Sequence, residues 1–542
     1  MKRILISLIL LGSSVSQPAA ETMRALDQAD LFIRHTASGP FTKCGTPRLL
    51  SLLRDSAGKP SAFASDYMLL DRPRLERSVD SAEKHFCVHY NLSGSDAPDP
   101  TDTNGNGVPD YVDSTLVYLE FAWKTIIELG YGAPKSDSGR GGSDAVDVYI
   151  MELSPQRFYG YTSPDDSYAS MGSSYMVIDN NFKESVYPTQ GYPALRVTTA
   201  HEFFHVVHYS YYGGEDAVWW MEQSAVWMED YTWDDVNDYL NYLVDFLTNR
   251  DTPIDTNGPY MYSAALFAFM IAKKHGPDMI RAIWNAISDH QSGSIELFNP
   301  ILPGTLSQAM LDLGIWSYFT GSRANSGAFF TDSPLIRGTV TAQDTVTAIP
   351  AVDSLSCRRY TFKYVDISPS DGFSPADSLF FEFSDRNGGV WKKQIILYNS
   401  PADFELVPLT GSEPLLLFSR PFRKAVLVIA NASQGAGTYR LVYAIMKTSG
   451  NKPQPLAFSL DPNYPNPFNN ETIIRFTVPK PALVRLKIVN VEGQTVRTLV
   501  DGMRERGSYA VTFTAAGLSS GVYVTVLESY GVFLTRKIAF IK

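Results

Sequence analysis

Residues 201–230 read HEFFHVVHYSYYGGEDAVWWMEQSAVWMED, and their spacing decides how the rest of the chain is read. In an α-helix positions i and i+4 share a face, so His201 and His205 can point at one zinc ion with Glu202 beside it as general base. A catalytic zinc takes three protein ligands and leaves a fourth position for water, whose pKa falls to about 7. A third ligand is therefore required. Glu222 is the best placed: it lies in a second apolar, helix-compatible stretch, Val218 to Met228, which can fold back after the turn signalled by Gly213 and Gly214. Glu229 is the rival, seven residues on and on the same face. With Glu222 as ligand, Glu229 or Asp230 becomes a carboxylate that orients a histidine ring from behind.

Three of the eight histidines, His201, His205 and His208, fall in this one segment together with Phe203, Phe204, Val206 and Val207. A purely structural core helix rarely takes that many imidazoles. His208 is assigned a supporting role. The metzincin pattern would need glycine where His208 stands and a third histidine where Tyr211 stands, so that group is excluded.

HEFFH with Glu222 set as W-x-x-E-x-x-A (Trp219, Glu222, Ala225) resembles the gluzincin branch of zinc peptidases, whose third ligand is a glutamate on a following helix. The wider stretch from HYNLSGSDAPDPTDTNGNGVPDYVD through VDVYIMEL to WMEQSAVWMEDYTWDDVNDYLNYL is similar to a bacterial family of secreted metalloproteases, over roughly residues 85–320. The resemblance implies a zinc peptidase and leaves its substrate open. It also implies a later Tyr or His that stabilises the tetrahedral oxyanion; Tyr262 in PYMYSAALFAFMIAKKHG fits, with Tyr260 close behind.

A second chemical signal is the loop DTNGNGVPDYVD. Asp102, Asn104, Asn106, Asp110 and Asp113 occupy positions 1, 3, 5, 9 and 12 of a calcium loop, with Gly107 at the sharp turn and the Val108 carbonyl at position 7. Oxygen-only ligands suit a hard cation. The last position is Asp rather than a bidentate Glu, and NLSGSDAPDP before the loop is not helical, so a loop-helix calcium site is expected rather than an EF-hand pair.

The chain begins MKRILISLILLGSSVSQPAA: two cations, an apolar run from Ile4 to Leu11, then small residues, which reads as a secretory signal peptide too short to span a membrane. No later stretch is long and apolar enough for a transmembrane helix. A formal charge of −11 disfavours nucleic acid and anionic lipid as partners. The expected partners are a protein or peptide substrate and a secretion machinery. Of three cysteines, Cys44 and Cys87 both precede the metal helix and are expected to pair in an oxidising compartment, leaving Cys357 single.

The composition then divides the chain. After a signal peptide at 1–20, residues 21–84 form an N-terminal lobe or propeptide, and residues 85–325 an α+β zinc-peptidase catalytic domain with the calcium loop. Within it, SSYMVIDNNF is a strand placed to receive an extended substrate by strand addition. Residues 335–447 carry short β runs such as RRYTFKYVDI and KAVLVIAN, an accessory β-sandwich; 448–457 is a polar linker. Residues 458–542 form an immunoglobulin-like β-sandwich. It resembles the C-terminal sorting domain of type IX secretion, on Tyr464-Pro465-Asn466-Pro467-Phe468, Gly493, Gly521-Val522-Tyr523 and Arg536-Lys537. The expected function is an exported endopeptidase; the competing reading is a surface adhesin or binding protein that keeps the peptidase fold only as scaffold.

Overall fold

The structure, a computed structural model, describes residues 41–53, 72–166, 170–337, 344–345, 351–368, 372–375, 377–409, 415–418, 420–446, 457–529 and 532–542. The signal peptide, residues 21–40 and 54–71 of the N-terminal lobe, and nearly all of the 448–457 linker lie outside the described residues.

The first half is built on one mixed sheet. Its elements in chain order are α1 (Thr46–Leu53), β1 (Arg77–Asp80), β2 (Phe86–Tyr90), α2 (Asp110–Glu128), β3 (Val146–Met151), β4 (Gly160–Pro164), β5 (Ser174–Asp179), α3 (Gly191–Tyr211) and α4 (Val218–Thr232). The sheet order is β1-β2-β3-β5-β4. β3 runs parallel to β2 and β5, while β1 and β4 are antiparallel additions at the two edges.

The central strands read as continuous apolar runs because both faces are covered. Val148, Ile150, Met176 and Ile178 join the main core under the helices, whereas Tyr149, Tyr175 and Val177 face a smaller cluster that includes Leu49 of α1. α3 packs across β4 and β5 and against α2 and α4. It is apolar almost all round, as a helix enclosed on every side must be, and its residues from Val197 to Tyr209 are all buried. β5, expected to be the open edge, is an interior strand. The edge is β4, whose sequence GYTSP carries a Gly and a Pro that mute the strand signal.

Further helices complete this layer: α5 (Val244–Thr248), α6 (Tyr260–Ser263), α7 (Leu266–His275), α8 (Asp278–His290) and α9 (Thr305–Tyr318). NDYLNYLVDFLTN, helical by pattern, breaks instead into a 3-10 turn at Asp238–Asn241 followed by α5, where the Asp238 carboxylate is drawn inward to Lys43.

Beyond residue 335 the chain is β. Strands β6 (Asp344–Thr345), β7 (Ala351–Cys357), β8 (Thr361–Asp366), β9 (Ser378–Asp385), β10 (Trp391–Ser400), β11 (Asp403–Pro408), β12 (Leu415–Leu417), β13 (Lys424–Asn431) and β14 (Gly437–Met446) form two sheets, β11-β10-β13-β8-β6 and β12-β9-β14-β7. The first sheet is buried on both sides. Leu427 and Ile429 point between the sheets, while Val426, Val428 and Ala430 alternate into the core of the helical layer, with Phe362 and Tyr364 beside them. The Tyr364 hydroxyl donates to the Gly314 carbonyl in α9 at 2.5 Å. The composition boundary near 335 thus marks a change of secondary structure within one continuous core.

The last unit has its own core. β15 (Ser459–Leu460), β16 (Glu471–Val478) and β19 (Gly507–Thr514) form one sheet, and β17 (Ala482–Val489), β18 (Thr495–Arg504), β20 (Gly521–Ser529) and β21 (Val532–Phe540) form the other. Alternating residues such as Val484, Leu486 and Ile488 fill the space between them, closed by Phe468 of the Tyr464–Phe468 motif. Among the described residues no helix is long and apolar enough to cross a membrane.

Candidate metal centre

α3 and α4 bring three donor groups to one point. His201 Nε2 and His205 Nε2 are 3.0 Å apart, and the two oxygens of Glu222 lie 3.2 Å from the first and 3.1 Å from the second. All three side chains are buried, and neither Glu222 oxygen has a hydrogen bond of acceptable geometry. Two imidazole nitrogens and a carboxylate that converge in this way need a shared proton or a cation between them. Ligands around a tetrahedral zinc, with bonds of about 2.0–2.2 Å, stand roughly 3.3–3.6 Å apart, so a small outward relaxation would seat the ion. The donor set therefore fits zinc.

The surroundings fix both imidazoles. Glu229 Oε1 accepts from His201 Nδ1 at 2.6 Å, which leaves Nε2 unprotonated for a metal. Behind His205 runs a relay. Ser224 Oγ, which donates to the Trp220 carbonyl, faces His208 Nε2 at 3.4 Å, so His208 Nδ1 is free to accept from His205 Nδ1 at 3.2 Å. His208 is stacked on Trp284, and burial keeps it neutral, with its pKa well below the usual histidine range. Burial opposes a charge on His201, but Glu222 and Glu229 outweigh it and push its pKa up to about 10. A field that would favour a proton favours a divalent cation more.

Glu202 is set beside the cluster. Its Oε2 accepts from Thr162 Oγ1 at 2.8 Å, and its carboxyl is raised above the usual range by burial, with His201 and His205 pulling the other way. β4 comes so close here that a Cβ on Gly160 would sit 3.0 Å from Glu202 Cγ and 2.9 Å from the Val177 carbonyl oxygen. Glycine is what lets the edge strand come this close to Glu202.

The remaining assignments divide. Tyr262 is buried within reach of the charge of Glu222, and its hydroxyl touches the backbone of Cys44, lying 3.4 Å from the amide and 3.2 Å from the carbonyl oxygen. Tyr260 faces Arg250, Asp245 and Asp251 instead. Asp230 reaches neither histidine; one helix position past Glu229, it is turned toward Asp332 and Asp234, and burial together with those charges pushes its pKa up to about 8.

Cys44 and Cys87 are not joined. Both are buried free thiols, as is Cys357. Cys44 bridges Gly160 on the outside of β4, and Cys87 lies in β2, four strand spacings away across the sheet. At about 4.8 Å per spacing that is roughly 19 Å, against the 7 Å or less a disulfide tolerates. Cys44 Sγ lies instead with His201, His205 and Glu222, in a group whose ligand atoms all fall within 4.8 Å of one another. Next to it Lys43 is buried, with its ammonium 2.9 Å from Glu229 Oε2 and paired with Asp238. Burial works against that ammonium, but Asp238 and Glu229 prevail and its pKa is raised. Glu202, Glu222, Glu229 and Asp238 are four buried carboxylates facing one buried ammonium, a deficit that a dication would largely fill. A groove of about 430 Å³, lined in part by Cys44, Val218, Met261 and Tyr262, opens beside the cluster.

Lys43, Cys44, Thr162 and Asp238 escaped the sequence reading as site residues. The one local signal is KCGTP, a cysteine ahead of a glycine upstream of HEFFH, and it reads equally well as half of a disulfide.

The 102–113 loop is held by its own side chains. Asp102 accepts from the amides of Gly105, Asn106 and Gly107 at 2.8–3.2 Å, with Gly107 at φ +84°. Asn104 and Asn106 both reach Asp113 Oδ2, at 2.8 and 2.9 Å, and Asn106 Oδ1 accepts from the Val108 amide. Asp110 turns away to Thr103, bonding its amide and hydroxyl at 2.9 and 2.5 Å. The side-chain oxygens of Asn104 and Asn106 thus accept from backbone amides while their NH2 groups donate to Asp113, and Asp110 is turned away to Thr103. Calcium is expected to raise the melting temperature of metal-stripped protein. At a hundred times its dissociation constant it would add about 2.7 kcal/mol, or roughly 3 °C for a cooperative unit of this size. Melts that calcium leaves unchanged, or an equal shift in Asp102→Ala, would remove the site.

Residues 463–542 match the secretion system C-terminal sorting domain. No curated protein matches the chain. Among solved structures, PorZ, an essential bacterial surface component of the type-IX secretion system of Porphyromonas gingivalis, is 16% identical with a TM-score of 0.13, covering 21% of this chain and 15% of its own. The glycoside hydrolase domain of Endo-D from Streptococcus pneumoniae R6 is 11% identical with a TM-score of 0.18, over 35% of this chain and 37% of that one. The adhesin domain of Epf from Streptococcus pyogenes is 10% identical with a TM-score of 0.14, over 36% and 75%. The chain spans well under two thirds of the length of the first two. None of these likenesses bears on the metal centre, whereas the sorting domain makes this an exported protein, secreted or held at the cell surface.

Proposed function

We propose that the chain is an exported zinc-dependent endopeptidase of gluzincin type. The observation that carries this reading is the convergence of His201 Nε2, His205 Nε2 and the unpartnered Glu222 oxygens, with the raised carboxyl of Glu202 beside them. Zinc held by these three residues would supply Lewis acidity, lowering the pKa of a coordinated water to about 7 and polarising a peptide carbonyl.

The chain's own residues do the rest. Glu202 takes the proton from the attacking water and returns it to the leaving amine, and Thr162 holds the carboxylate in the orientation this needs. Tyr262 donates a hydrogen bond from its hydroxyl to the oxyanion that develops on the scissile carbonyl. Glu229 and His208 keep the two ligand rings from turning. The outer side of β4, when not covered by the chain's own residues 42–45, would receive an extended peptide, whose backbone hydrogen bonds would align it with little demand on its side chains.

The test is metal content together with hydrolysis of casein by the wild-type and Cys44→Ser chains. One zinc per chain, and hydrolysis that a chelator abolishes and zinc restores, are the expected results. Full zinc occupancy with no peptidase activity in either chain would favour the scaffold reading, a surface adhesin or binding protein.

A further inference from the structure

The segment from Phe41 to Thr46 lies where a substrate would lie. Gly45 donates its amide to the Gly160 carbonyl at 2.8 Å, the Tyr159 amide donates to the Lys43 carbonyl at 3.1 Å, and the Thr42 amide donates to the Arg157 carbonyl at 3.0 Å. Thr46 adds a side-chain bond, its Oγ1 accepting from the Thr162 amide at 2.8 Å. The free edge of β4 is thereby taken. The segment is pinned at its start as well: Phe41 packs against Tyr159, Tyr187 and Tyr242, and Lys43 is buried between Glu229 and Asp238. Glu229 therefore serves two groups at once, the ring of His201 and the ammonium of Lys43.

With the backbone so fixed, Cys44 delivers its sulfur to the open side of the three-ligand cluster. Sγ accepts the Thr46 amide at 3.3 Å, the kind of bond that supports a sulfur carrying negative charge. The Tyr262 hydroxyl, needed for an oxyanion, is held by the Cys44 backbone. Edge strand, oxyanion donor and fourth coordination position are all filled by one stretch of six residues, and the unpartnered Glu222 oxygens mark the centre on which the sulfur closes.

We propose that Cys44 is a fourth zinc ligand and that residues 41–46 keep the peptidase latent by occupying its own substrate cleft. This rests on the zinc-peptidase reading given above. Release is a ligand exchange without redox change: the zinc–sulfur bond breaks, the sulfur leaves as a thiol with a proton from solvent, and water takes its place. It also frees β4 and Tyr262, so one movement restores all three requirements.

X-ray absorption at the zinc edge of the full wild-type chain tests the coordination without any substitution. One sulfur neighbour at about 2.3 Å with nitrogen and oxygen neighbours at about 2.0–2.2 Å is expected, and in Cys44→Ser the sulfur should vanish while zinc remains. Full zinc occupancy with only nitrogen and oxygen neighbours in the wild type overturns the ligand assignment and leaves the peptidase reading standing. A chain that binds no zinc overturns that reading, and this one with it. Latency is read separately: the full wild-type chain should hydrolyse casein at least about tenfold more slowly than Cys44→Ser, because the competent fraction sets the rate. Equal rates in two folded, zinc-loaded chains overturn the blocking role of the segment.

Discussion

Glu202→Gln should keep its zinc and lose turnover by roughly 10²–10⁴-fold, about 3–5.5 kcal/mol of barrier. The substitution preserves size, and the amide oxygen can still accept the Thr162 hydroxyl, so the cluster of His201, His205 and Glu222 is untouched. What disappears is, among the described residues, the carboxylate beside the His201, His205 and Glu222 cluster that is neither placed as a ligand nor bound to a ring. The comparison belongs in the Cys44→Ser background, where the N-terminal thiol cannot mask the active form. Retained turnover in a zinc-loaded Glu202→Gln chain would assign the proton transfer to another group.

Glu222→Ala should strip the centre of its metal. Two imidazoles alone hold zinc weakly, and the loss should exceed the roughly 10–100-fold weakening expected for Glu229→Ala, which unmoors the His201 ring and leaves Lys43 to Asp238 without removing a ligand. Again Cys44→Ser is the informative background, because the thiol would otherwise supply a third donor and hide the defect. Competition with a chelator of known affinity measures both variants. Full zinc in Glu222→Ala with depletion in Glu229→Ala would transfer the ligand role to Glu229.

What could be read from the sequence follows the range over which the contacts act. The i, i+4 pair and the glutamates of the next helix lie within thirty residues, and local periodicity places them: Glu222 falls among the imidazole nitrogens and Glu229 behind one ring. Lys43 and Asp238 are 195 positions apart, Cys44 and Tyr262 218. No local pattern reports such pairs. β4 was obscured by its own composition, since Gly160 is there for the approach to Glu202 and Pro164 ends the strand at an edge. Chain position and compartment allow Cys44 and Cys87 to pair, but the strand order that separates them is a property of the whole sheet. Asp230 and Glu229 were equivalent by sequence, and only the rotation of α4 distinguishes them.

KAVLVIAN held a clue of another kind, because an unbroken apolar run in an antiparallel sheet means that neither face meets water. With Val426 and Val428 packed into the helical layer and Leu427 and Ile429 into the sandwich, removal of either half would leave the other with a bare apolar wall. The two halves are therefore expected to melt as one cooperative unit, with the sandwich as a foundation for α9 and the helices resting on it. The sorting domain, with its separate core, is expected to show its own transition. A shortened chain that keeps the metal centre can end after Met446, but a cut at the change of composition near 335 takes part of the interior with it.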